Sequence, residues 1–227
     1  MYDKSFRELK FVILFGLSLF SIYLRFRVLL NFVSFQSLIL LLISEKRKNN
    51  GYEKFHIFST TVYNNQKDEI ISVAKNALDA IGLTDGPAHV EVKYTSEGPK
   101  IIEVNGRPGG DNITSDLIKN AYGIDIFKQT VLKYLGEPIA IKKEANLASA
   151  IGYILSDQDK NIAQLQGLDE VLKDSSITRY EVAKGTIENV RAAKSSDDRL
   201  GYIIIQEQTA AEAKQKIMAL ISQIYVK

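Results

Sequence analysis

The stretch that decides the fold is Ile101-Ile-Glu-Val-Asn-Gly-Arg-Pro-Gly-Gly-Asp-Asn-Ile113, IIEVNGRPGGDNI. It starts as a β-strand and places Glu103, Asn105 and Arg107 at every second position. Side chains on a strand alternate between its two faces, so an acid, an amide and a guanidinium line one face. Pro108-Gly109-Gly110 then breaks the strand. Asp111 or Thr114 can cap a following helix that carries Leu117, Ile118 and Ala121 and ends at Gly123.

Upstream, Ala88–Thr95 (AHVEVKYT) reads as a partner strand, and Ser96-Glu-Gly-Pro99 as the turn of a hairpin. Strict alternation puts Val90, Val92 and Tyr94 on one face of the first strand, with Ile102 and Val104 on that of the second. The other faces then carry His89, Glu91 and Lys93, and Ile101, Glu103 and Asn105. With the apolar faces on a common core, Glu91 lies opposite or diagonal to Glu103. Two carboxylates facing each other across strands repel. A divalent cation between them reverses the sign, and two carboxylates with an amide carbonyl are hard oxygen donors that suit magnesium better than zinc. The glycine bend leads to a helix N-terminus, whose free N–H groups favour anions. His89 reads as an ordinary strand histidine.

Punctuation elsewhere is consistent. A helix begins at Lys67 with Ile70, Ala74, Leu78 and Ile81 on one face, and Gly82 stands just past its end. Asp125 opens another with Ile126, Val131 and Leu135, stopped by Gly136 and Pro138. Beyond residue 140, Ala148–Leu155, Thr178–Ala183 and Gly201–Gln206 read as strands. The last helix opens on a Thr209/Glu212 capping box and carries Ala213, Ile217, Leu220, Ile221 and Ile224.

The 227 residues carry a net charge of +2, with 25% charged, which gives no basis for nucleic acid as a partner. Absence of cysteine removes disulfides, thiolate zinc sites and thiol nucleophiles, and fits a reducing, cytoplasmic location. With only His56 and His89, neither a multi-histidine metal site nor a hydrolase triad can be assembled. The N-terminus is unusual: residues 11–24 (FVILFGLSLFSIYL) and 28–44 (VLLNFVSFQSLILLLIS) flank Arg25 and Arg27. Neither run reaches the roughly 20 apolar residues of a membrane helix. Three readings stand: an anomalous segment from a wrong start or shifted frame, a membrane or interfacial anchor, and buried strands.

Gly86-Pro-Ala-His-Val-Glu91, followed after twelve residues by Glu103-Val-Asn-Gly-Arg107, resembles the C-terminal half of the ATP-grasp fold. The longer pattern through Gly110 is similar to the carboxylate–amine ligase branch, which includes the L-amino-acid (dipeptide) ligases. The resemblance runs from about Ile43 to Lys227. It implies an α+β fold: an anomalous segment at 1–44, the ATP-grasp C-terminal lobe at 45–140 and a small α/β lobe at 141–227. It also implies ATP with Mg2+ (Mn2+ as a substitute ion), held by Glu91, Glu103 and Asn105. Arg107 would stabilise the transferring phosphoryl group, and Gly109 and Gly110 would let the backbone approach a carboxylate substrate. The implied reaction is ADP-forming ligation of a small carboxylate to an amine through an acyl phosphate. The family's other lobe supplies a lysine and a glycine-rich loop over the phosphates, and neither is found before Glu45. The chain is therefore expected to be a truncated ligase, inactive until completed by the missing half. The alternatives are a non-catalytic remnant and a protein anchored through residues 11–44. Which acid and amine are joined, and the oligomeric state, stay open.

Overall fold

The computed structural model describes residues 27–35, 38–49, 52–58, 64–142 and 144–227. Its strands are β1 (Arg27–Phe35), β2 (Leu38–Asn49), β3 (Tyr52–Phe58), β4 (Gly86–Thr95), β5 (Gly98–Asn105), β6 (Ala148–Ile154), β7 (Lys160–Ala163), β8 (Leu165–Gln166), β9 (Ile177–Val182), β10 (Ile187–Val190), β11 (Gly201–Glu207) and β12 (Tyr225–Val226). The helices are α1 (Lys67–Ala80), α2 (Ile118–Tyr122), α3 (Ile126–Tyr134), α4 (Leu168–Val171) and α5 (Ala210–Ser222), with a π-helical turn, Ile113–Leu117, running into α2. Eight strands form one sheet in the order β5-β4-β1-β2-β3-β6-β11-β9. All its pairings are antiparallel.

This sheet bears on the unusual N-terminus. Residues 27–35 and 38–49 are the interior strands β1 and β2, so the division at 44/45 falls inside β2. The sheet also runs unbroken from β3 to β6, across the division at 140/141. The run 11–24 and Arg25 lie outside the described residues. Among the described residues no helix is long and apolar enough to cross a membrane.

Register fixes the two faces. Val92, Val28, Glu45, Ile57 and Ala150 stand in one row across the strands. Val92, Ile57 and Ala150 therefore share a face, and α1 and α5 cover it. Under α1 the core is Ile70, Ala74 and Leu78 against Ala88, Val90 and Val92. Under α5 it is Ala213, Ile217 and Leu220 against Ile57, Ala150, Ile203 and Ile205. Glu103, Glu91, Leu29, Ser44, Phe58, Ser149 and Gln206 form the neighbouring row, which belongs to the opposite face. There Ile151, Tyr153 and Ile204 pack against Ile113, Leu117, Ile118 and Tyr122 of the π-turn and α2.

Local signals account for the helix ends. Gly82 and Gly123 are left-handed at φ 72° and 74°, as expected for residues that close a helix. The side chain of Asp125 accepts from the Lys128 N–H at 3.0 Å, and Thr209 with Glu212 forms the capping box. Of the apolar residues expected on α3, only Ile126 is buried, whereas Val131 and Leu135 are exposed.

The C-terminal lobe contains a polar clasp. Asp174 accepts from Lys216 Nζ of α5 at 2.8 Å and from the Ser176 N–H and hydroxyl at 3.0 and 2.7 Å. The lysine, then the serine bonds, lower its carboxyl to about 2. A depressed carboxyl contributes stability above the unfolded value near 4, and loses it as pH falls through the folded value. Asp174→Asn should lower Tm by roughly 3 °C at pH 6. In scans at several pH values, that deficit should shrink between pH 4 and 2; a constant deficit would refute the clasp.

Candidate active site

The site is built on the β4–β5 hairpin. Glu91 stands directly opposite Glu103, and His89 opposite Asn105. A β-bulge between Glu91 and Val92 brings Ile101 rather than Ile102 opposite Val92. An extra residue in one strand shifts its alternation by one. Ile101 therefore packs with Val104 against the α1 core, and Ile102 is exposed, which reverses the faces that strict alternation assigned to them. The bulge falls between Glu103 and the turn, so the facing carboxylates keep their register.

The two acids have different surroundings. Glu91 is 9% exposed on a strand flanked by β1 and β5. Glu103 is exposed, on the sheet's edge strand. His89 Nε2 lies 3.9 Å from Glu91 Oε1. Asn105 Nδ2 donates to Glu103 Oε1 at 2.8 Å, so the amide and this carboxylate already share one spot. A buried carboxylate facing a second one is costly unless a cation joins them. Among the described residues no group of three or more His, Cys, Asp or Glu side chains could hold a metal ion. Two carboxylates and an amide match an ion that keeps phosphate oxygens and waters as its other ligands, as magnesium does in nucleotide sites.

Past β5 the chain turns. Arg107 is exposed and its Nη1 donates to the Pro108 carbonyl at 2.9 Å, so its guanidinium folds onto its own loop. Gly109 is buried, and its carbonyl accepts from the Thr114 hydroxyl at 2.9 Å. Gly110 accepts from the Ile113 N–H at 2.9 Å. A Cβ on Gly110 would meet nothing within 4 Å, and Gly110 is not among the residues of positive φ. Nothing among the described residues therefore demands glycine there, and among them the space beside it is open to an incoming group. Asp111 and Asn112 follow in the left-handed region, at φ 53° and 56°. Neither Asp111 nor Thr114 is the helix cap: Asn112 holds that position, and its left-handed backbone gives no side-chain cap bond. The carbonyl of Asn112 instead accepts from both Asp116 and Leu117, and this i to i+5 bond defines the π-turn.

Sequence reasoning missed the neighbours of this turn. Arg199 binds Asp111 through two nitrogens at 2.9 and 3.4 Å, and its Cζ lies 3.6 Å from the centre of the Tyr153 ring. Arg179 Nη1 reaches both oxygens of Asp116 at 3.2 and 3.1 Å. The Tyr202 hydroxyl donates to Glu181 at 3.1 Å. Burial raises the Tyr202 phenol above its ordinary value. Asp111, Asn112, Tyr153, Glu181, Arg199 and Tyr202 line a cavity of about 440 Å³ beside the turn. The signal available in sequence was only an Asp-Asn pair after two glycines.

The family described as "ATP-grasp domain" matches residues 36–116, and "L-amino acid ligase C-terminal domain 2" matches residues 153–227. The L-arginine-specific L-amino acid ligase of Bacillus subtilis is 25% identical over 166 residues, covering 69% of this chain and 38% of that protein. Human carnosine synthase 1 is 35% identical over 71 residues, covering 31% of this chain and 8% of that protein. The chain thus spans well under half the length of these curated relatives. The crystal structure of L-amino acid ligase from Bacillus licheniformis superposes with a TM-score of 0.78 at 18% identity, over 91% of this chain and 52% of that one. The chain belongs to the ATP-grasp superfamily, in its carboxylate–amine (L-amino-acid) ligase branch, and spans a C-terminal portion of that architecture.

Proposed function

We propose that this chain is the metal- and phosphate-binding portion of an ADP-forming ligase that joins an amino acid's carboxylate to an amine. One observation carries the reading: Glu91, largely buried between its neighbours in the sheet, faces Glu103 across the hairpin, with Asn105 bonded to the Glu103 carboxylate. Glu91, Glu103 and Asn105 would hold Mg2+ together with the phosphates of ATP. When bound, the ion neutralises charge on the phosphates during in-line transfer.

The remaining roles belong to the chain's own groups. A substrate carboxylate oxygen attacks the γ-phosphorus of ATP, the bond to the bridging oxygen breaks, and ADP leaves. An amine nitrogen then attacks the acyl carbon, phosphate departs with the bonding pair, and the nitrogen loses a proton. Arg107, on its exposed loop, needs only to release the Pro108 carbonyl to place its guanidinium beside the transferring phosphoryl group. The open space at Gly110 admits the acyl group against main chain. Amino acids as substrates are supported by the names of the relatives.

Calorimetry of the chain with Mg-ATP tests the proposal. Saturable binding that disappears when EDTA removes the metal is expected. No binding at millimolar nucleotide would overturn it in favour of a remnant that has lost the nucleotide site.

A further inference from the structure

We infer that Arg199, in the C-terminal lobe, is a positioning residue that sets the shape of the Gly109–Asn112 turn. The turn's importance to substrate rests on the function proposed above; the contact itself does not. Asp111 and Asn112 are consecutive non-glycine residues with left-handed φ. Aspartate and asparagine tolerate that region better than other side chains, yet two in succession need outside support.

Beyond the turn's local bonds to Ile113, Thr114, Asp116 and Leu117, support comes from residues far along the chain. Arg199 lies just before β11 and its side chain is only 15% exposed. It grips Asp111 with two nitrogens while its plane rests on Tyr153 of β6. A guanidinium can pair in a fork and stack on a ring at once, which an ammonium cannot. Further along, Asp116 meets Arg179 of β9, and Asn120 donates to Thr178 at 2.8 Å while its carbonyl accepts from Gln206 at 2.6 Å. Positions 116 and 120 are four residues apart, on one face of the helical segment. The π-turn and α2 are therefore bolted along their length to β9 and β11. Arg199 is the bolt next to the two glycines. The C-terminal lobe thereby acts on the site without touching the metal-binding hairpin.

Hydrogen exchange on the full chain, read with calorimetry, tests this. Arg199→Met should speed exchange of the Ile113 amide, which donates to the Gly110 carbonyl, at least tenfold, leaving Glu91 and Glu103 amides unchanged. Arg199→Lys, which keeps the charge but loses the fork, should restore part of that protection. Asp111→Asn, which removes the ion pair without changing shape, should repeat the Arg199→Met pattern. It is the variant to rely on if Arg199→Met fails to fold. Arg179→Met is the control, with faster exchange confined to residues beyond Asp116. Unchanged exchange of the Ile113 amide in folded Arg199→Met or Asp111→Asn overturns the inference. If the wild-type chain binds no Mg-ATP, the functional proposal fails, while the exchange data still judge the role of Arg199.

Discussion

Glu91→Gln should weaken metal-dependent nucleotide binding at least about tenfold while leaving the metal-free protein as stable as before, or slightly more so. The two effects have opposite signs because of where Glu91 sits. It is largely buried, with His89 Nε2 3.9 Å away, and faces Glu103 across paired strands, so the contact between the two carboxylates is repulsive without a cation between them. Replacing one charge with an isosteric amide relieves roughly 0.5 kcal/mol, about 1–2 °C in Tm. With a cation present, the same change removes an ionic ligand. A residue kept only for folding would show the reverse: intact binding and a lower Tm. Paired calorimetry and thermal unfolding of wild type and variant decide it. A loss of stability with unchanged affinity would refute the metal role of Glu91.

The second large effect is structural. Gly167 precedes α4 at φ 80°, and an added Cβ would lie 2.1 Å from the backbone carbonyl oxygen of Gln223. No rotamer relieves that contact, because both partners are main chain. The turn also joins β8, paired with β12, to α4, so any shift disturbs the end of α5 and the C-terminal strand. Left-handed strain adds about 1–2 kcal/mol. Together they should cost Gly167→Ala at least about 3 kcal/mol, roughly 6–12 °C in Tm. Gly136→Ala is the matched comparison: φ is 74°, but a Cβ there meets nothing within 4 Å. It should incur the backbone strain alone. Equal losses in urea titrations of the two variants would show that the Gln223 carbonyl can yield.

Much of this was legible because the signals are local. Gly82, Gly123, the Asp125 cap and the Thr209/Glu212 box each mark a boundary through one or two residues, and the structure keeps all of them. The facing of Glu91 and Glu103 was also readable, since alternation constrains it whatever the turn. The inward side of Ile101 was not, because a bulge changes parity through backbone pairing that leaves no trace in composition. The apolar runs show neither period 2 nor 3.6, so β1 and β2 could not be told from a membrane segment. The short strands β7 and β10 are mostly exposed, with Ile162 prominent on the surface, and carry little pattern. Asp111 and Arg199 stand 88 positions apart, and only the folded sheet makes them neighbours.

The central claim is that the β4–β5 hairpin binds a divalent cation together with nucleotide phosphates. Mn2+ can stand in for Mg2+, and its unpaired electrons broaden the NMR signals of nearby amides. The most direct test adds substoichiometric Mn2+ with ATP to the labelled chain and maps the broadened amides. Signals around His89–Val92 and Glu103–Arg107 should disappear first, and Glu91→Gln should abolish the effect. Broadening spread over surface carboxylates such as Asp159 and Asp198, with the hairpin untouched, would contradict it.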